Sequence, residues 1–155
     1  MSDSRWLDIK SDFESAIRHF EMALYIDETD NLSDQGVNGY RARMALMHAM
    51  QSGYTSAEAA FLKLFAVLRE DPPAGPHWHK TLLKRLAVPR DDDAARPAVI
   101  DRETLRELEI ALSFRHRAMH AYEDFDRELA RPAMVAAERL PELLRRTFER
   151  IRAWD

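Results

Sequence analysis

Apolar residues recur at gaps of three and four along most of this chain, a period that predicts amphipathic helices. A first helix is predicted over residues 4–27, with an apolar stripe made of Trp6, Ile9, Phe13, Ile17, Phe20 and Leu24. It ends where residues 27–31 supply turn and cap formers. The pattern is therefore helical from the start of the chain.

A second helix is predicted from residues 33–34, either of which can cap its first turn, to about Glu70. Gly53 interrupts its apolar stripe. Thr55 followed by Glu58 has the form of a capping box, which would start a new helix and make a hairpin. Because the stripe stays in phase across Gly53, one long helix, with or without a bend, is favoured.

Three Pro and one Gly within residues 71–76 end that helix. A short third helix is predicted over residues 77–87, and the loop that follows, residues 88–100, is long enough to be mobile. A fourth helix is predicted from a cap at Asp101 to about Tyr122.

A last helical stretch is predicted to begin at residues 131–132, and Pro141 is expected to kink or restart it. Three long and two shorter helices with short connections and no strand signal predict an all-α, up-and-down bundle of four to five helices. At 155 residues, the chain suits a single domain over residues 1–155.

Charge and composition narrow the function. With 23 Lys and Arg against 27 Asp and Glu, the net charge of -4 gives no global attraction to nucleic acid, so any such contact needs a local patch. The absence of Cys excludes disulfides, thiolate metal sites and Cys nucleophiles. A polar N-terminus and the lack of a long apolar run predict a cytoplasmic protein with no membrane partner.

Residues 113–122, SFRHRAMHAY, place two Arg, two His and a Tyr late in the fourth helix. Arginine offers a planar, permanently charged fork that fits phosphate oxygens, and histidine exchanges protons near neutral pH. Together these side chains suit phosphodiester chemistry.

Helical geometry limits how these side chains combine. On a regular helix, Arg115 and Tyr122 lie about 20° apart around the axis, whereas Arg115 and His120 lie about 140° apart. Either the helix ends near His120, or two copies of the chain share one site. In a symmetric dimer each Arg115 would lie beside the partner's histidine.

Other interpretations of this segment stay open. Arg115 or Arg117 can instead pair with nearby acids, at Glu109, Glu123 or Asp124, on a solvated helix face.

A metal is a further alternative. His116 and His120 are four residues apart and can hold a metal that Glu123 completes, although bundle metal sites usually recruit ligands from other helices. No metal site is predicted.

On the third helix, Lys80 and Lys84 lie one turn apart and can meet a phosphate backbone, as can Arg117. The alternative is a capped amphipathic helix whose Trp78 is in the core and whose lysines are solvated.

The motif Arg115-x4-His120-x-Tyr122 resembles the Arg-x4-His-x-Tyr signature of HepT-like proteins in the HEPN superfamily. The upstream residues 78–83 and 96–100 share that family's appearance, and the likeness covers most of the chain in helix order. The resemblance implies a helical bundle that forms a homodimer, with two motifs meeting at the interface.

The resemblance also implies a function. Active members are metal-independent endoribonucleases that act as toxins of type II toxin–antitoxin pairs and need no cofactor. Their partner is a minimal nucleotidyltransferase (MNT) antitoxin, which transfers AMP to the motif Tyr. Carried over, Arg115 and His120 are catalytic, Tyr122 is the AMPylation site, and His116 fills a polar position with a hydrogen-bonding role.

Several relatives have lost activity, and acidic Glu123 and Asp124 directly follow the motif here. A non-catalytic HEPN adaptor that binds a nucleotidyltransferase is therefore the second hypothesis, and a metal-binding bundle enzyme is the third.

Overall fold

The computed structural model describes residues 4–120 and 126–154, and it describes residues 118–120 by their backbone alone. This part of the chain forms five helices, α1 (Ser4–Thr29), α2 (Val37–Val67), α3 (Trp78–Leu86), α4 (Arg102–His120) and α5 (Arg127–Arg152). The described ranges contain no strand, although one isolated bridge pairs Arg90 with Arg96. The predicted all-α bundle is confirmed.

The long helices pack around a shared apolar core. Helix α1 lies along α2 and α5, α4 packs on α5 and α2, and the short α3 lies against α4. Phe13 of α1 joins three of these helices, because its ring lies 5.5 Å from that of Phe61 on α2 and 5.4 Å from that of Phe148 on α5. This core holds α2 in place, and α4 packs against it.

Helix α2 is continuous through Gly53, as the phase of its apolar stripe predicted. A Cβ at Gly53 would lie 3.0 Å from atoms of the Phe20 ring, so the glycine allows α1 to approach closely. Thr55 and Glu58 therefore lie inside one helix, and the alternative of a hairpin with a second helix start is wrong.

Helix α5 begins at Arg127, four residues before the predicted start at residues 131–132. The Asp126 carboxylate accepts a hydrogen bond of 2.9 Å from the backbone N–H of Glu128, and this cap fixes the earlier start. Pro132 consequently falls in the second turn. The helix also continues through Pro141, so the predicted restart there is wrong.

A buried carboxylate, Glu70, anchors the segment between α3 and α4. Its oxygens accept two hydrogen bonds of 2.9 Å from Arg96 and one of 3.0 Å from Arg85 on α3. Arg96 also donates to the carbonyl oxygens of Val88 and Pro97. The loop over residues 88–100, which its length predicted to be mobile, is thus tied to the end of α2.

The charge of Glu70 is stabilised by these arginines. Burial acts to raise the pKa of the Glu70 carboxyl, but the hydrogen bonds from Arg96 and Arg85 outweigh it, so the pKa is lowered. The folded state consequently favours the ionised carboxylate.

Glu70→Gln should lower the free energy of unfolding by about 3 kcal/mol, because it leaves the buried Arg96 without its counter-charge. Urea unfolding at pH 7 measures this loss. Glu142→Gln is the matched control, since Glu142 is exposed and its contacts with Arg145 and Arg146 are 3.9 Å long; it should cost less than about 1 kcal/mol.

The stabilities of the wild type and Glu70→Gln should depend differently on pH. A carboxyl whose pKa is lowered in the folded state stabilises it above the pKa of the unfolded chain, about 4.3, and this stabilisation is lost as the pH falls through the folded value. The stability difference between the wild type and Glu70→Gln should therefore shrink below about pH 4.3. A difference that stays constant down to pH 3 would contradict the assignment.

Candidate functional site

The fourth helix is fixed at both ends of its buried stripe. The Asp101 carboxylate accepts a 2.8 Å hydrogen bond from the backbone N–H of Thr104, which is the predicted cap. Phe114 is buried near the other end. Because Phe114 faces the core, the next residue, Arg115, lies half-buried, whereas His116 and Arg117 are exposed.

Arg115 faces helix α2 across the bundle. Its Nη1 donates a 3.2 Å hydrogen bond to the Thr55 hydroxyl, and the guanidinium carbon lies 5.2 Å from the centre of the Tyr54 ring. Nη1 also lies 3.9 Å from Oε1 of Glu58, a long ion pair. The alternative pairing of Arg115 with Glu109 on its own helix does not occur among the described contacts, because these α2 residues hold it instead.

Tyr54 gives Arg115 a neutral aromatic support. The Tyr54 side chain is buried, and this burial, followed in size by the nearby Glu58 carboxylate, raises the pKa of the phenol well above its ordinary value. Tyr54 therefore stays protonated, and its ring face attracts the guanidinium.

Glu58 joins α2 to the short helix α3. Its side chain is 7% exposed, and Oε2 lies 2.6 Å from Nδ1 of His79. A carboxylate can only accept a hydrogen bond, so the contact places a proton on Nδ1 of His79. The second ring nitrogen, Nε2, is left for a contact with another group. The Trp78 ring, 3.7 Å from the His79 ring, covers part of it.

The cluster of Thr55, Glu58, His79 and Arg115 reaches the surface. Thr55 is exposed, and the side chains of His79 and Arg115 are 29% and 18% exposed. Both described polar contacts of Arg115 use Nη1, which leaves the Nη2 and Nε donors of its fork for an anion. The arrangement can bind a phosphate beside a histidine with a fixed tautomer.

The other predicted RNA-binding residues are exposed but separate from this cluster. Lys80 and Lys84 lie on the solvent side of α3, and Arg117 lines an open groove with Arg102 and Arg106 on α4. No hydrogen bond or ion pair within the described ranges links these side chains to Arg115.

Several predicted residues lie outside the described part. The backbone of His120 closes α4, but its side chain is not described, and Tyr122, Glu123 and Asp124 fall within residues 121–125. The convergence of Arg115 with His120, and the role of Tyr122, remain predictions.

Comparison with models of known protein families shows which family the chain belongs to. The family model for HepT-like protein matches residues 45–154, more than two thirds of the chain. The chain belongs to the HepT-like protein family. Neither the curated proteins nor the solved structures gave a significant match.

The HepT-like match includes every residue of the Arg115 cluster, from Thr55 on α2 to Arg115 on α4. In the sequence, Thr55 and Glu58 have the form of a capping box, and no local pattern gives His79 a role. A signal was present, because Glu58 is a charged residue placed four positions after Tyr54 and three before Phe61, which both belong to the apolar stripe of α2.

The described residues show neither a metal site nor a membrane-spanning helix. They contain no group of three or more His, Asp or Glu side chains placed to hold a metal ion. The alternative metal site needed His120 and Glu123, which lie outside the described side chains. No helix among the described residues is long and apolar enough to cross a membrane.

The contact between Glu58 and His79 is testable without any assay of function. We expect a double-mutant cycle with Glu58→Gln and His79→Gln to give a coupling energy of about 1.5–3 kcal/mol, as for hydrogen bonds to charged groups. Chemical unfolding of the four proteins at pH 7 measures it. Strictly additive losses would show that the two side chains do not interact in solution.

Proposed function

We propose that this HepT-like chain is a metal-independent endoribonuclease and the toxin of a type II toxin–antitoxin pair. In this proposal it is a single domain over residues 1–155 that acts in the cytoplasm as a symmetric homodimer. Arg115 and His120 cut RNA in a site shared between the two copies. Family membership supports the class of protein, and the position of Arg115 supports the chemistry.

The observation that carries the proposal is the way α2 holds Arg115. An arginine that only solubilised α4 would extend into water, but this one rests on Tyr54, is bonded to Thr55 and is 18% exposed. Its side chain is therefore ordered before any substrate arrives. Such preorganisation is what stabilisation of a transition state requires.

In the proposed reaction, the ribose 2′-oxygen attacks the adjacent phosphorus and loses its proton to a base. The bond from phosphorus to the 5′-oxygen breaks, and that oxygen takes a proton from an acid. The products are a 2′,3′-cyclic phosphate and a 5′-hydroxyl. Arg115 neutralises the charge on the phosphorane oxygens, an effect worth about 10²–10³-fold in rate.

His120 supplies one of these proton transfers, worth about 10²–10⁴-fold. Its backbone and that of Arg115 both belong to α4, five residues apart, so they lie about 140° from each other around the axis. We therefore infer that the Arg115 of one copy works with His120 of the other. His116 contributes a hydrogen bond, and Lys80, Lys84 and Arg117 hold the RNA backbone.

Tyr122 is the proposed control point. An MNT-type antitoxin would transfer AMP to its hydroxyl, which adds a bulky anion seven residues after Arg115 in the chain. That group would exclude RNA phosphate sterically and by charge.

A non-catalytic adaptor that binds a nucleotidyltransferase is the second candidate. The Glu58 carboxylate favours it, because a phosphate must compete with this carboxylate for Arg115. The net charge of -4 acts in the same direction.

Cleavage of a labelled RNA pool in excess EDTA separates the two. The wild type should cut and leave 2′,3′-cyclic phosphate ends, while Arg115→Ala and His120→Ala should each be slower by about 10²-fold or more. Arg146→Ala is the matched control, since it removes an exposed arginine on α5 and should cut normally.

Mass spectrometry of the same samples checks for AMP on Tyr122, which would silence a genuine nuclease. Wild-type protein without AMP that leaves RNA intact would exclude the nuclease and favour the adaptor.

A further inference from the structure

We propose that His79, held by Glu58, is the general base of the RNA-cleaving site, and that it completes the site together with Arg115 of its own copy. This inference rests on the proposed nuclease function. It assigns a catalytic role to a histidine outside the Arg-x4-His motif and makes Glu58 its positioning residue.

His79 and Arg115 meet at the same carboxylate, that of Glu58. One buried carboxylate contacts both side chains: Oε2 lies 2.6 Å from Nδ1 of His79 and Oε1 lies 3.9 Å from Nη1 of Arg115. Glu58 therefore holds the imidazole on the same carboxylate that Arg115 contacts, and in the proposal both groups act on one phosphate. By contrast, His120 is separated from Arg115 around the axis of α4.

The contact with Glu58 also selects the tautomer of His79. With Nδ1–H donated to Glu58, the neutral imidazole of His79 presents an unprotonated Nε2, which is an acceptor. After Nε2 takes a proton, the adjacent carboxylate stabilises the resulting imidazolium. The same logic explains why a carboxylate orients the base of serine hydrolases.

The His79 ring is held by buried neighbours but stays partly accessible. Glu58 is 7% exposed, and Trp78 stacks on one face of the His79 ring at 3.7 Å. The ring is thus fixed in place, yet its 29% exposure lets a substrate reach it. A contact whose sole task was to attach α3 to α2 would not need an accessible imidazole.

Two histidines then divide the chemistry. Nε2 of His79 accepts the 2′-hydroxyl proton as the bond from the 2′-oxygen to phosphorus forms. His120 of the partner copy, in its protonated form, gives a proton to the 5′-oxygen as its bond to phosphorus breaks. Each site so composed contains one base, one acid and the Arg115 cation.

His79→Asn separates catalysis from structure. The asparagine amide can still donate to Glu58 in place of Nδ1, so the fold should be retained, but it cannot accept a proton. We expect the single-turnover rate of RNA cleavage in EDTA to fall by about 10²-fold or more, with KM near the wild-type value. His77→Asn, on the exposed cap position of α3, should cut at the wild-type rate.

Replacing the 5′-oxygen by sulfur at the mapped scissile bond tests which proton each histidine moves, since a thiolate leaves without protonation. This substrate should restore most of the rate of His120→Ala and none of the rate of His79→Asn. Glu58→Gln should lower the cleavage rate less than His79→Asn does. Thermal unfolding of His79→Asn at the wild-type temperature would show that this variant is folded.

The outcomes are distinct. Wild-type activity in folded His79→Asn, while His120→Ala is inactive, would overturn this inference and leave the nuclease intact. Rescue of His79→Asn by sulfur would overturn its assignment as the base. No cleavage by the AMP-free wild type would remove the proposed function and this inference together.

Discussion

The buried carboxylate of Glu58 is the interaction on which the candidate site depends. It lies on α2 and contacts side chains from α3 and α4, so one charge sets the positions of His79 and Arg115. A buried carboxylate of this kind is costly unless cationic or donor groups surround it. Because the Glu58 carboxylate needs such partners in the fold, it brings together His79 and Arg115, whose side chains suit phosphate chemistry.

Glu70, twelve residues after Glu58, repeats the arrangement for a structural purpose. It lies just past the end of α2 and collects Arg85 from α3 and Arg96 from the following loop. The second half of α2 and the residues just past its end thus position the later chain through two carboxylates. One holds a packed loop, and the other holds a partly exposed cluster that a substrate can reach.

The helical pattern was predictable because each long helix has an apolar stripe of the correct period. The continuity of α2 followed from its phase across Gly53, and the cap at Asp101 followed from residue type. The start of α5 was not predicted, since Pro132 is typical of a first turn and the competing cap at Asp126 is a local hydrogen bond. The hydrophobic pattern alone does not show which of two possible caps starts a helix.

The candidate site was predictable in part. Residues 113–122 identified Arg115 because its chemistry is unusual for a helix face, but nothing in that segment indicates what holds it. Glu58 and His79 are distant from Arg115 in sequence, and only the packing of α2 and α3 against α4 brings them near it. Long-range contacts of this kind leave no signature in the local sequence, whereas the motif around Arg115 is a local pattern.

The shared site is tested most directly by a dimer that carries different inactivating changes in its two copies. Arg115→Ala and His120→Ala chains, co-expressed with different tags and purified through both, form one intact and one doubly defective site per dimer. We expect these mixed dimers to recover about half of the wild-type cleavage rate in EDTA, since one of two symmetric sites is complete. Mixed dimers as inactive as either parent would contradict the shared site.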